Sequence, residues 1–471
     1  MASEITPAAI AADTLAVAPN WRREVRDTLI LTLPIAAALL AEMGMGVIDY
    51  SMSGHLDPLE HPGALAAAGL GLQWLFTPMF WGMGVITATG AIGAQAHGAR
   101  RPETVSESMR QGFLMATLLS IPIMAIAAGA LVLLPMVNDD PEVVRRVREI
   151  VFWGLPWIPL VYWFTVVRNF VTVMQRPMIV SVCAVAGLPV SFLSNYVFMY
   201  GNWGAPEMGA SAVGLTGVIV AVLHLVMIIA YVQYVPELRR YRIFARLFHF
   251  DGRMMVELFR VGVPIGMAYL FETGLFFTVT VLMGVLSTAA LTGHNVVLNV
   301  CAVTFMIPYA LSQAATVRVG YAVGAGQPDA ARRAGYVAIS LGIGWMMLAA
   351  TTMLLAPNLL IWIYMKDASA AANASAAQLA ASLFVIAAVF QIVDGLQVTA
   401  QGALRGLKDT KVPMILCGLG YWVFGLGSGV TMGFLMGFGA KGLWWGLAVG
   451  LAVSATLLFL RWRRLSGRLI A

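Results

Sequence analysis

The chain has 471 residues, of which 60% are hydrophobic and 11% are charged. Soluble domains carry about 25% charged residues, so the polar surface of a soluble enzyme or binding module is missing. The formal net charge of +6 follows membrane topology rather than forming a patch, which excludes nucleic acid as a partner.

Residues 1–27 are expected to be a cytoplasmic tail without a cleavable signal peptide. Glu4 and Asp13 sit among Ala, Thr and Pro, and Arg22, Arg23 and Arg26 precede an apolar segment too long for a signal core. That segment reads as a retained first helix. Apolar runs and their breaks then predict twelve helices, near 28–53, 64–94, 113–136, 149–172, 177–200, 209–234, 256–284, 288–317, 335–363, 378–402, 412–436 and 441–460. Six stretches contain no charged residue at all: 61–99, 177–206, 208–236, 273–317, 334–365 and 412–440. Each exceeds the roughly 20 residues that cross a bilayer. The breaks carry turn residues or charges, as in Gly201-Asn202-Trp203-Gly204, Gly324-Ala325-Gly326-Gln327-Pro328 and Arg405-Gly406-Leu407-Lys408-Asp409.

Lys and Arg test this topology. With both termini cytoplasmic, 24 of the 29 fall inside, and only Arg145, Arg146, Arg148, Lys366 and Lys441 fall outside. That asymmetry satisfies the positive-inside rule, and a missed helix would scramble it. The expected location is therefore the cell (inner) membrane, with multiple passes and membrane lipid as the surround.

The sequence matches itself at an offset near 230. Pro34, Glu42, Gly44 and Gly54 correspond to Pro264, Glu272, Gly274 and Gly284. Gly98-Ala99-x-x-Pro102 corresponds to Gly324-Ala325-x-x-Pro328, Pro177-Met178-Ile179 to Pro413-Met414-Ile415, and Gly209-Ala210 to Gly439-Ala440. Each unit holds six helices, an even number, so the two share one orientation as parallel repeats. The fold class is all-α and integral to the membrane, in two six-helix lobes. The N-lobe is 28–236, the cytoplasmic linker 237–255, the C-lobe 256–460 and the cytoplasmic tail 461–471. Gly442, Gly446 and Gly450 form a GxxxGxxxG face suited to close helix packing. Cys183, Cys301 and Cys417 stand alone and read as small buried residues.

Ionisable groups at membrane depth are costly and usually functional. Those expected here are acidic: Glu42, Asp49, Glu272 and Asp394, with no embedded Lys or Arg of comparable depth. Such groups can be neutralised only by a proton or a cation. This is what a proton- or sodium-coupled carrier of positively charged substrates requires. His224 and His294 stand alone on apolar segments and read as structural. No Gly-rich phosphate loop with its Lys, no His/Cys ligand cluster and no nucleophile elbow is present, so neither an enzyme nor a bound cofactor or metal is expected.

Several motifs, in order along the chain, carry a resemblance. They are Leu33-Pro34 through Asp49 and Gly54; Gly93-Ala94-Gln95-Ala96-His97-Gly98-Ala99; Val263-Pro264-Ile265 through Phe271-Glu272; His294-Asn295-x3-Asn299; Arg318-Val319-Gly320; and Asp394-Gly395-Leu396-Gln397 followed by Gly402-Ala403-Leu404-Arg405-Gly406. Over roughly residues 25–465 the chain resembles the multidrug and toxic compound extrusion (MATE) transporters of the NorM type. The resemblance implies a two-lobe exporter driven by a proton or sodium gradient. With the embedded acids, the expected activity is exchange of cationic lipophilic small molecules for protons or sodium ions by alternating access, and the chain is expected to function as a monomer. The resemblance assigns Asp49 to an N-lobe site, and Glu272 and Asp394 to a C-lobe cation site whose two carboxylates would bind the ion jointly. Ser191, Asn195, Thr216 and Glu42 are candidate N-lobe support; Asn299 and Gln391 are candidate C-lobe support. Two departures leave the coupling ion open. Ser191 and Asn195 stand where some relatives carry Asn and Asp, and Phe390 where some carry Tyr.

Three other readings are disfavoured. A lipid-linked oligosaccharide flippase of the same superfamily would line its cavity with bases rather than acids. A major facilitator type drug carrier would show an Asp in its loop after the second helix, which Gly93-x4-Gly98-x-Arg100-Arg101 lacks. A membrane prenyltransferase would need two cytoplasmic Asp-rich motifs, whereas Asp139-Asp140 is the only Asp pair and falls outside.

Overall fold

The computed structural model describes residues 20–57, 59–247, 249–365 and 371–470. Most of the expected N-terminal tail, and Lys366 among the outer charges, lie outside the described residues. Within them are twelve apolar spans. Eleven are helices: α1 (Trp21–Gly54), α2 (Ala64–Gly98), α3 (Pro102–Met136), α5 (Met178–Phe198), α6 (Gly209–Tyr234), α7 (Gly252–Leu286), α8 (Thr288–Gly324), α9 (Pro328–Leu355), α10 (Asn373–Gly406), α11 (Lys411–Leu435) and α12 (Gly439–Arg468). The twelfth, α4, is a pair, Pro141–Gly154 and Trp157–Val173, bent by 44°. The bend falls at Pro156, whose ring removes a ladder hydrogen bond.

The spans match expectation in number and order, but many run past their predicted ends. α1 begins at Trp21 rather than 28, and α3 at Pro102 rather than 113. α8 continues to Gly324 and α12 to Arg468. Hydropathy marks only the part of a helix in hydrocarbon, whereas the hydrogen-bonded ladder continues into charged turns that water solvates. The predicted ninth segment is two pieces, because Pro357 starts a separate helix, Pro357–Tyr364.

The repeat is written in the helix exits. Four non-consecutive helices end in the same cap, with a left-handed residue two positions past the last helical one. These residues are Arg100 after α2 (φ 55°), Gln175 after α4 (φ 57°), Gly326 after α8 (φ 68°) and Lys408 after α10 (φ 59°). In each, the next N–H reaches back five residues: Arg101 to Ala96, Arg176 to Val171, Gln327 to Ala322 and Asp409 to Leu404. This is the Schellman arrangement, and it satisfies carbonyls that the helix end leaves bare. It recurs at α2 and α8, and at α4 and α10, the counterparts expected of six-helix repeats.

Contacts divide the chain into two compact units. Among the described residues, one comprises those within 20–32, 91–105 and 277–470, and the other those within 33–90 and 106–276. Thus α1, α2, α3 and α7 each begin in one unit and end in the other.

In the first unit, the ends of α2 and α8 cross at glycines that correspond in the repeat. A methyl on Gly98 would lie 2.0 Å from the Tyr321 carbonyl oxygen, and one on Gly324 would lie 2.0 Å from that of Gln95. Each glycine meets the residue three before its counterpart, as across a local two-fold axis. Gln95 Nε2 also donates to the Gly406 carbonyl at 2.7 Å. Near this crossing Arg318 of α8 makes a buried ion pair with the first turn of α1. Its Nε and Nη2 donate to the two Glu24 carboxylate oxygens at 2.9 and 2.7 Å, and Asp27 lies 3.5 Å away. Glu24 is 1% exposed. The glycine face of α12 packs as expected against α11. Added methyls on Gly442, Gly446 and Gly450 would fall 2.2–2.5 Å from backbone atoms of Gly433, Gly429, Gly425 or the adjoining Met432.

In the second unit α2 and α7 also approach closely. A methyl on Gly84 would lie 2.5 Å from Gly266 Cα, and one on Gly262 would lie 2.3 Å from the Val85 carbonyl oxygen.

Candidate functional site

The second unit builds a polar cluster within the apolar spans α1, α5 and α6. These helices are largely apolar, so polar side chains turned inward are expected to find partners there. On α5, Ser191, Ser194 and Asn195 share the buried face. Asn195 Nδ2 donates to Asp49 Oδ1 at 2.6 Å, and the Ser191 hydroxyl to the same oxygen at 3.3 Å. From α6, the Thr216 hydroxyl lies 2.8 Å from Asn195 Oδ1 and 3.1 Å from Ser194 Oγ. Asn195 therefore has a fixed amide orientation: its oxygen faces Thr216 and its NH2 faces Asp49. The Asp49 carboxylate is held by neutral donors and by no Lys or Arg in any described contact. Such a carboxylate accepts a proton or a monovalent cation without first breaking an ion pair.

Three of the four candidate supports thus converge on Asp49, and Ser194 joins them. Glu42 stands apart on the same face of α1, seven residues and two turns away. It interacts electrostatically with Arg168 of α4, which is 8% exposed. The expectation of no embedded base fails here. Arg168 falls late in an apolar run, where sequence suggests a helix end, yet the side chain turns inward.

In the first unit Asp394 of α10 is 4% exposed, and Gln391, one turn earlier, is fully buried. The Gln391 amide donates to the Thr304 hydroxyl of α8. Cys301, one turn from Thr304, lies within electrostatic reach of Asp394. Asn299 turns outward, and its amide donates to the Asn295 carbonyl of its own helix at 2.8 Å. His294 Nε2 lies 3.0 Å from the Thr280 hydroxyl, and its ring meets Trp444 edge-on, as does Phe390. Glu272 is half-buried on α7, in the part belonging to the second unit. The two carboxylates expected to act together therefore belong to different contact units. Ser194, Thr304 and Arg168 were not singled out from sequence, since a lone polar residue in an apolar helix does not reveal which way it faces.

One ligand-like group lies near the α1–α2 turn. Glu60, His61 and Glu207 place their ligand atoms within 4.8 Å of one another. His61 Nε2 is 2.8 Å from Glu207, and Arg146 Nη1 is 3.1 Å from His61 Nδ1. The guanidinium brings a positive charge to this cluster and donates to the ring, an arrangement that suits a structural ion-pair network.

Comparison with known proteins agrees with these features. The MatE family profile matches twice, at residues 34–197 and 264–431, with starts 230 residues apart as in the internal repeat. The "Probable multidrug resistance protein NorM" of Mesorhizobium japonicum is 38% identical, over 96% of this chain and 97% of its own length. The "Multidrug resistance protein NorM" of Burkholderia vietnamiensis is 36% identical, over 97% and 98%. Among solved structures, the eukaryotic MATE transporter AtDTX14 superposes with a TM-score of 0.83 at 20% identity, covering 95% of this chain and 98% of that one. An outward-facing multidrug resistance MATE family transporter superposes with a TM-score of 0.84 at 17% identity, covering 95% and 96%. Twelve spans, a six-helix repeat, a twofold profile match and full-length relatives lead to one conclusion: the chain belongs to the MatE family.

Proposed function

We propose that this protein is a multidrug efflux transporter that exports cationic lipophilic compounds in exchange for protons or sodium ions entering the cell. The observation that carries the reading is Asp49, a carboxylate within the apolar span α1, held by Asn195 and Ser191 with no described base against it. A proton or cation bound there and a cationic substrate favoured in its absence would give the two states differential affinities, which any ligand-driven population shift requires. Asp394 and Glu272 are the acidic groups proposed to serve ion binding elsewhere in the chain, with Gln391 supporting Asp394. NorM-named relatives at 36–38% identity over nearly full length support the drug-export reading.

The test is efflux from proteoliposomes under separately imposed proton and sodium gradients. Ethidium- and acriflavine-like cations should leave, whereas anionic dyes of similar size should stay. Selective export of the anions would sink the reading and favour the flippase-type alternative.

The proposed orientation has both termini cytoplasmic and the transport pathway within a single chain of the inner membrane. Single cysteines at Asn202 and Arg242 should label oppositely with an impermeant reagent on intact cells: Asn202→Cys reacts and Arg242→Cys does not. Equal labelling from outside would defeat this topology.

A further inference from the structure

His224, on α6, is a lone imidazole in an apolar run, held at one ring nitrogen and left open at the other. The ring hydrogen-bonds the Cys183 backbone, and its Nε2 is buried without a partner. The bond to Cys183 is therefore made by Nδ1, as N–H to the carbonyl oxygen. This fixes the tautomer and leaves Nε2 as a bare acceptor. A buried acceptor without a donor is costly and calls for a reason.

Nε2 is aimed at the gap left by Gly187 of α5. A methyl on Gly187 would lie 2.5 Å from Nε2 and 2.9 Å from the Met45 sulfur. Met45 sits on α1 between Glu42 and Asp49, so Nε2 opens at a level between the two carboxylates. At about 1.5 Å per residue, Asp49 is roughly 6 Å above Met45 along the helix and Glu42 roughly 4–5 Å below. Along α5 the positions Cys183, Gly187, Ser191 and Asn195 recur every fourth residue on one buried face. At Gly187 this column faces both His224 Nε2 and Met45 of α1, and on α1 Glu42 and Asp49 flank Met45, three residues before it and four after. From α1 its titratable groups are Asp49 with neighbouring Tyr50, and Glu42; from α5, Cys183; from α4, Arg168. Phe164 of α4 covers the ring, 5.5 Å between centroids.

We propose that His224 relays protons between Asp49 and Glu42 within the second unit. A proton leaves the Asp49 carboxyl and binds Nε2, through a water or the Ser191 hydroxyl, leaving a carboxylate and an imidazolium. The imidazolium then gives that proton to the Glu42 carboxylate and returns to its neutral tautomer. The Cys183 carbonyl, accepting from Nδ1, holds the ring in one orientation through both transfers. Protonating Glu42 removes the counter-charge of Arg168, whose positive charge then favours loss of the proton from Glu42 on the far side. This inference rests on the proton-coupled form of the proposed function.

The test uses the purified full-length chain in proteoliposomes. Histidine 224 is replaced as H224Q and as H224A, and ethidium efflux is followed under a proton gradient. Proton-transfer groups contribute about 10²–10⁴-fold in rate, so H224Q should slow efflux about a hundredfold while equilibrium ethidium binding stays near wild type. Added imidazole, which can occupy the space vacated in H224A, should restore part of that variant's proton-driven efflux. Wild-type efflux by H224Q overturns the relay. So does loss in both variants with no imidazole rescue and a matching fall in thermal midpoint, which identifies a packing residue. A wild-type protein driven by sodium alone overturns the proton reading itself, which the wild-type arm reveals before any variant is compared.

Discussion

Asp49→Asn should lower gradient-driven efflux by at least about a hundredfold, the scale on which positioned proton-transfer groups act, while the protein stays folded in the membrane. The substitution is nearly isosteric. An amide oxygen at this position still accepts from Asn195 and Ser191, so the link from α1 through α5 to Thr216 of α6 survives. What is lost is the only charge in that cluster, and with it the means to bind and release a proton or cation. Proteoliposome efflux measured beside equilibrium ethidium binding separates the two effects. Retained binding with absent efflux fits an ion-coupling role. Undiminished efflux with unchanged ion dependence would remove Asp49 from the mechanism and move attention to Asp394 and Glu272.

Arg318→Ala should destabilise the first unit by about 3–5 kcal/mol, the usual cost of stranding one member of a buried ion pair. Without the guanidinium, Glu24 keeps a carboxylate that is 1% exposed, with Asp27 as a like-charged neighbour. A paired change to neutral groups, Arg318→Gln with Glu24→Gln, should cost less than the single one, because no unpaired charge remains. Thermal unfolding of the purified protein in detergent, compared across the single and double variants, measures this directly. A double variant no more stable than Arg318→Ala would mean that packing, not charge, holds the first turn of α1.

The spans were legible because their signal is local and physical. Around 20 apolar residues between charged turns have one stable conformation in a bilayer, so the number and order of helices could be read directly. The repeat was legible for a similar reason: Pro34, Glu42, Gly98 and Gly209 sit where the backbone or the membrane tolerates few alternatives. The helix exits were less visible, because Arg100, Gln175 and Lys408 adopt left-handed conformations usually associated with Gly or Asn. The site was legible in part. Asp49 stood out as an acid in an apolar segment, Ser191, Asn195 and Thr216 were candidate supports beside it, and the geometry then joined them. His224 was read as structural, since no periodicity in an apolar helix shows that a ring nitrogen ends without a partner. The Arg318–Glu24 pair spans 294 residues of sequence, and no local pattern announces a contact of that range.

The reciprocal crossing of Gly98 and Gly324 also bears on descent. A contact that each half makes through the same surface is one that two copies of a single half would make with each other. Gene duplication and fusion of a six-helix ancestor that paired with itself would account for it, both copies inserted in the same direction. Glu42 and Glu272 keep the imprint of that ancestor, as the same acid at equivalent positions. Asp49 does not, because its equivalent 230 residues on is Val279. Fusion allowed one half to acquire an acid that the other lacks, a divergence that identical subunits could not have made.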